Sequence, residues 1–312
     1  MARPPRISVV VASYNSRATI GRCLESLRGQ EDAPPFEVIV VDSSSDGTDQ
    51  LVAGDFPEVH LHRLLGRRFP GQARNAGVAL ARGRTVAFTD ADCEPAPTWL
   101  ARIATAHDAG HELVGGAVAN ANRRSYIGAA YALSAFSRWL PGTPAGPGRD
   151  LAGGCLSVGR AVFDECGGFP DDRYSSDTAF VWRAARLGYT PVFDPALTVS
   201  HVGVDRLAIF VSRRLAQGRA FARMRAEEDG FSLRHAAAFA LLAPLLPALL
   251  FTRVARRVLA TRSHRRDFLR VAPLVLVGCV LWAAGESAGY AGHVARHLRP
   301  RPSTALSEPS RG

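Results

Sequence analysis

The chain contains no lysine, so all 38 of its Lys/Arg cations are arginine, against 28 acidic residues and a formal net charge of +10. Its five cysteines, Cys23, Cys93, Cys155, Cys166 and Cys279, are odd in number and never fall in C-x-x-C spacing. That argues against a disulfide framework or a zinc site, and for a reducing compartment. Basic and aromatic residues are not interleaved, so the positive charge carries no nucleic-acid signature. The arginines crowd towards the C-terminal third, which favours an anionic membrane surface as partner. There is no internal repeat. The start, 1–6, is basic, but the apolar run 7–12 is too short for the hydrophobic region of a signal peptide and leads into Tyr14-Asn15. It reads as a first strand, which leaves the N-terminal domain in the cytoplasm. With 312 residues and 47% hydrophobic content, the chain can bury a full core and still carry an apolar appendage.

Ile7-Ser8-Val9-Val10-Val11-Ala12 is β-branched and nearly continuous, as expected of a strand buried on both faces. A helix follows from about Ser16, with Ile20, Cys23, Leu24 and Leu27 on one face. Residues 36–41 form the next strand, stopping at Asp42, and 43–48 is turn chemistry ending in a helix cap. A short strand at 59–61, a helix at 71–81 closed by Gly83 and a strand at 86–89 follow. This alternation predicts an α/β fold with a doubly wound, mostly parallel sheet. Further on, Pro95 to Trp99 opens a helix, 112–118 reads as a strand and 141–148 as a Pro/Gly-rich loop. Residues 151–158 are small and apolar, 176–187 is helical, and 190–193 and 197–201 are extended.

The strand 86–89 ends in Asp90-Ala91-Asp92. In an extended segment these two carboxylates share one face, at the strand end where open α/β sheets bind ligands. Two hard oxygen ligands there suit Mg²⁺ or Mn²⁺ arriving with phosphates. Ser13-Tyr14-Asn15, Asp42 to Thr48 and Arg74-Asn75 add polar groups on the same edge. Asp42 can accept from a base or ribose, and Arg74 can neutralise a diphosphate oxygen. Singly, each has an ordinary structural reading: Asp42 a turn residue, Arg74 a solvated helix cation, Asn15 a cap. Their joint order is what points to a nucleoside, its diphosphate and a metal.

As a set these segments resemble the family 2 glycosyltransferases of GT-A fold, over about residues 6–203. Gly153-Gly154-Cys155-Leu156-Ser157-Val158 and Gly167-Gly168-Phe169 are similar to that family's acceptor-side segment. The resemblance implies an inverting transfer from a nucleotide-diphosphate sugar to a hydroxyl acceptor, lipid-linked or in cell-envelope glycan synthesis. It implies donor contacts from Ser13, Tyr14, Asn15, Asp42, Asp46, Arg74, Asn75 and Asp90. Asp92, Asp90 and His201 would hold Mg²⁺ or Mn²⁺, and Asp177 would be the base. Two departures stand out. The usual Glu-Asp pair reads Ser176-Asp177, and the Asp42 loop is one residue shorter than the commonest form. No Gln-x-x-Arg-Trp is present, which weighs against a processive synthase. A nucleotidyltransferase would show a Gly-rich phosphate loop with a basic residue near the first strand, and none is seen. A catalytically silent membrane scaffold takes its best support from Ser176.

The chain changes character after about residue 230, which sets a catalytic domain at 1–230, a hydrophobic helical region at 231–295 and a disordered tail at 296–312. The apolar stretch 236–252 is broken by Pro244 and Pro247 and is short for a span, whereas 271–292, containing Glu286, is long enough. Between them lie Arg253, Arg256, Arg257, Arg262, Arg265, Arg266 and Arg270. If the first stretch crossed a membrane, this cluster would lie outside, against the positive-inside bias. The expectation is a first stretch that dips in and returns or lies in the interface, on the cytoplasmic face. Buried helices of a soluble domain are the alternative.

Overall fold

The computed structural model describes residues 4–170 and 174–298. Most of the tail expected from residue 296 lies outside the described residues, the last helix running on to Leu298. The first half alternates β1 (Ile7–Ser13), α1 (Ile20–Arg28), β2 (Phe36–Asp42), α2 (Thr48–Asp55), β3 (His60–Arg63), α3 (Pro70–Leu80) and β4 (Thr85–Asp90). These strands are parallel in the order β3-β2-β1-β4. The order reverses at β1, so the crevice beyond the ends of β1 and β4 is the topological switch point of the sheet. β1 is covered on both faces. Val9 and Val11 pack with Ile20, Leu24 and Trp99 on one side, while Val10 packs with Phe88, Phe163 and Phe180 on the other.

The second half adds β5 (Cys93–Pro95), α4 (Trp99–Asp108), β6 (Leu113–Asn120), α5 (Tyr126–Phe136), β7 (Gly146–Pro147), β8 (Cys155–Gly159), α6 (Arg160–Glu165), α7 (Ser176–Arg186) and β9 (Val192–His201). Here the sheet turns mixed: β8 runs antiparallel to both β4 and β6, and β9 runs parallel to β6. The two extended pieces expected near residues 190 and 200 are one strand. Its register shifts opposite Gly116/Ala117, where a Cβ on Gly116 would lie 1.9 Å from the Leu197 carbonyl oxygen. Only a glycine admits that bulge. The Pro/Gly loop contains β7, which pairs with β9.

Four further helices follow: α8 (Leu207–Glu228), α9 (Leu233–Leu242), α10 (Leu246–Ala260) and α11 (Arg265–Leu298). α8, α10 and α11 share a core with α5 through Tyr131, Leu133, Phe210, Val254, Phe268 and Val271, while α9 packs through Phe239 and Ala240 against Ala222, Ala226 and Tyr290. α8 and α11 touch backbone to backbone. A Cβ on Gly218 would lie 2.2 Å from the Trp282 carbonyl, and one on Gly285 2.2 Å from that of Leu215. Gly289 meets the Arg219 carbonyl in the same way, at 2.6 Å. Leu233–Ala260 and Arg262–His297 are long and apolar enough to cross a membrane, by length and composition. Pro244 lies in a 3₁₀ turn (Ala243–Leu245) that divides the first into two helices.

Candidate active site

The ends of β1, β2 and β4 lie side by side, with Ser13 in register with Asp42 and Ala12 with Asp90. They open into a cleft of about 1210 Å³ lined by Ser13, Tyr14, Arg74, Asp90, Asp92, Asp177 and His201. Asp42 lies behind Ser13, buried, and its carboxylate accepts from the Ser13 hydroxyl at 2.7 Å, the Ser44 hydroxyl at 2.5 Å and the Ser44 N–H at 3.2 Å. Asn15, in the left-handed region at φ 50°, accepts from the Ser45 N–H at 3.0 Å and donates its own N–H to the Ser44 hydroxyl at 2.7 Å. Asp46 accepts from the Arg17 and Thr48 N–H groups and from the Thr48 hydroxyl. Burial pushes its carboxyl up, but these donors win and hold it below the ordinary range. Asn15 and Asp46 thus tie the loops after β1 and β2 together rather than line the cleft. Asn75 is likewise set aside from it: its amide clamps the Phe169 backbone through bonds of 2.8 and 2.9 Å.

Arg74 is the buried cation at the centre. Its guanidinium donates to Asp90 at 2.6 Å, lies 5.5 Å from the Phe169 ring centroid and faces Asp177. Burial alone would lower its pKa; Asp90 and Asp177 outweigh that and raise it. Asp177 heads α7, where the macrodipole favours an anion. One of its oxygens accepts from the Gly153 N–H at 2.9 Å and the other from the Thr178 N–H at 2.8 Å. Gly153 and Gly154 fill the gap between these charges. A Cβ on Gly153 would lie 2.6 Å from Arg74 Nη1 and 2.9 Å from the Asp177 Cβ, and one on Gly154 2.9 Å from Asp90 Oδ2. Ser176, the departure from the usual acidic residue, is buried against the start of α3, where a Cβ on Gly71 would already lie 3.0 Å from its hydroxyl oxygen. Its small side chain fits that tight contact.

Asp90, Asp92 and Cys93 each bring a ligand atom within 4.8 Å of the others. The pairing of β5 with β9 sets Cys93 beside His201, and the imidazole Nε2 lies 3.6 Å from Asp92 Oδ2. The His201 ring is braced edge-on by Phe136, centroids 5.0 Å apart. Two carboxylates and an imidazole suit Mn²⁺ or Mg²⁺. The soft thiol of Cys93 is the poorer match to these hard cations, and burial, then the charges of Asp92 and Asp90, push its pKa well up. Burial also pushes the Asp92 carboxyl up, against the pull of His201. A bound cation would relieve that cost.

Two cations of the site escape a reading of local motifs. Arg213, from α8, faces Tyr131 and Asp92, which raise its pKa against the effect of burial. Arg67 lies 5.0 Å from the Tyr14 ring centroid and lines the cleft. The arginine doublets 67–68 and 213–214 were the available signal, and only the fold shows that they line the cleft.

A doubly wound sheet with two carboxylates at the end of its fourth strand and a third in the same cleft is the architecture of the GT-A fold. Residues 8–142 match the profile of the family described as glycosyl transferase family 2. It is 44% identical over 106 residues to the succinoglycan biosynthesis protein ExoO of Rhizobium meliloti, covering 34% of this chain and 30% of that protein. It thus spans less than a third of that relative's length. It is 28% identical over 221 residues to the polyprenol monophosphomannose synthase of Mycolicibacterium smegmatis, 65% of this chain and 81% of that one. Among solved structures, the mannosyltransferase PcManGT of Pyrobaculum calidifontis, in complex with GDP-Man and Mn²⁺, superposes with a TM-score of 0.56 at 22% identity, over 94% of this chain and 76% of that one. That likeness is one of fold.

Proposed function

We propose that the protein transfers a sugar, with inversion, from a nucleotide-diphosphate donor to a hydroxyl of a lipid-linked or membrane-proximal acceptor in cell-envelope glycan synthesis. The observation that carries this reading is the shared cleft: Asp90 and Asp92 on one wall and Asp177 on the other, with Arg74 buried between them. Ser13 and Tyr14 line the nucleoside end, and Asp42 supports it from behind. Asp92, Asp90 and His201 would hold Mn²⁺ or Mg²⁺, which supplies charge compensation to a leaving diphosphate. Asp177 takes the proton of the acceptor hydroxyl as that oxygen bonds to the sugar C1. The C1–O bond to the diphosphate breaks, and its electron pair leaves on the nucleoside diphosphate. The bonds from Gly153 and Thr178 hold Asp177 still, and a fixed base acts where the proton is lost. Arg74 and Arg213 set positive charge where negative charge grows.

The silent-scaffold reading rests on Ser176, and the tight contact with Gly71 gives that residue a steric reason unrelated to loss of activity. Membrane attachment through 231–295, on the cytoplasmic face where nucleotide sugars are found, completes the proposal. The test is a panel of nucleotides and nucleotide sugars with Mn²⁺, read first by thermal shift and then by release of nucleoside diphosphate. The wild type should respond to one donor class and Asp92→Asn should not. Absence of any response across the panel overturns the reading.

A further inference from the structure

The catalytic cleft extends beyond Asp177 to α10, which presents Leu246, Leu249, Leu250, Arg253 and Arg257 to it. Their spacing (i, i+3, i+4, i+7, i+11) sets them on one face of the helix. The first turns of that face are apolar and the later turns are cationic. The adjoining stripe of the helix anchors it through buried Val254 and Val258, Val254 also touching the cleft.

The cationic end has positive charge to spare. Arg138, Arg253 and Asp150 are the charged groups that face Arg257. Asp150 is already paired with Arg138, and among the described residues no carboxylate forms an ion pair with Arg253 or Arg257. Three guanidiniums around one engaged carboxylate repel one another, and an anion bound among them would remove that repulsion. The apolar end is not closed off. Leu249 is 45% exposed, and Leu242 and Leu245, at 56% and 70%, carry the apolar surface on towards solvent.

Resting on the transferase reading above, we infer that this face of α10 is the acceptor subsite, and that the acceptor is an anionic amphiphile. Its phosphate or diphosphate sits on Arg253 and Arg257, its hydrocarbon chain lies along Leu246, Leu249 and Leu250, and the sugar it carries reaches towards Asp177. A soluble sugar acceptor has no use for the leucines, and a neutral glycolipid has none for the arginines.

The test uses three probes on the full-length protein by calorimetric titration: decyl phosphate below its micelle concentration, decyl β-glucoside and inorganic phosphate. Decyl phosphate should bind at least about tenfold more tightly than either of the others, since it alone satisfies both ends. The double variant Arg253→Gln/Arg257→Gln should weaken it about tenfold or more, and Leu249→Ser should weaken it while leaving the inorganic phosphate titration unmoved. Both variants change exposed positions, and thermal unfolding checks that they fold. Equal binding of inorganic phosphate would mean a free-anion site, equal binding of the glucoside a neutral-lipid groove, and unchanged affinity in both variants another location. Each of these overturns the inference. The donor panel decides the transferase reading separately, because it tests the opposite end of the cleft.

Discussion

At the residue scale, the charges that would carry chemistry are held apart and in place by atoms that contribute no charge. The glycines at 153 and 154 are the clearest case, since side chains there would enter the space of Arg74, Asp177 and Asp90. Gly153→Ala should therefore cost at least about tenfold in kcat, because a displacement of about 1 Å at a reacting group is expensive. It should also lower Tm, since overpacking costs about 1–3 kcal/mol. A steady-state assay beside a thermal melt checks this. Asp177→Asn should lower kcat by about 10²- to 10⁴-fold while leaving donor KM nearly unchanged, as loss of a base does. Lost donor binding with retained turnover would make Asp177 a donor ligand instead. Asp92→Ala should abolish Mn²⁺-dependent activity and weaken Mn²⁺ binding, read by calorimetry. Asp90, Asp92 and Asp177 were legible in the sequence because each stands in a local pattern tied to a strand or helix end. The approach of His201 to Asp92 was not legible as geometry, because it depends on a pairing between β5 and β9 more than a hundred residues apart.

At the scale of elements, the parallel half of the sheet was readable from hydrophobic runs and turn residues, and its strands stop where the carboxylates begin. α5 was missed. It is apolar nearly all round, because both the sheet side and α11 cover it, so no 3.6-residue alternation marks it. The mixed character of the second half also escaped, since strand direction is set by the path of the connections and not by composition. The seam between α4 and β8 adds a pH dependence. His107, on α4, is largely buried against the sheet, its Nε2 3.1 Å from the Ser157 hydroxyl. Burial first, and then Arg6, lower its pKa from 6.5 to about 4, with Asp108 opposing and His111 adding to the effect. The folded state therefore resists a proton that the unfolded chain takes up readily. Its contribution is complete above pH 6.5, falls as the pH drops towards 4, and levels off below that. The loss amounts to at most about 3 kcal/mol. Urea unfolding at pH 7, 5.5 and 4 should show the decline in the wild type and a shallower one in His107→Gln, which keeps a polar group and loses the titration. Parallel slopes would remove His107 as the source.

At the scale of the whole molecule, the glycine contacts between α8 and α11 decide how the apolar helices can meet a membrane. α8 carries Arg213, Arg214, Arg219, Arg223 and Arg225 and begins a few residues after His201, so it stays with the catalytic domain. α11 is bound to it from Trp282 through Gly289. The apolar part of α11 before that glycine seam, 271–281, is about 16 Å long, roughly half of a hydrocarbon core. Arg214 and Phe210 of α8 already meet it at Gly278. Val271 and Val275 within it are already buried against protein. A crossing by α11 would tear it from α8, and without a crossing there the seven arginines from Arg253 to Arg270 remain on the side of the active site. All seven are exposed, and so are Leu241, Leu242, Leu245, Leu259 and Leu269 around them. The arrangement fits helices lying in the interface, leucines in the acyl boundary and arginines on anionic headgroups at about 1 kcal/mol each. The five native cysteines are buried, so a cysteine introduced as Arg256→Cys or Arg262→Cys would report alone. In intact cells it should resist an impermeant maleimide, and in inverted membrane vesicles it should label readily. Labelling in intact cells would mean that α9 and α10 cross, and the interfacial arrangement would fall. Widening the seam should act in the same direction. Gly285→Leu places a side chain where the Leu215 carbonyl lies, at a cost of about 1–3 kcal/mol. It should lower Tm and release the C-terminal helices to proteolysis while the sheet domain stays folded.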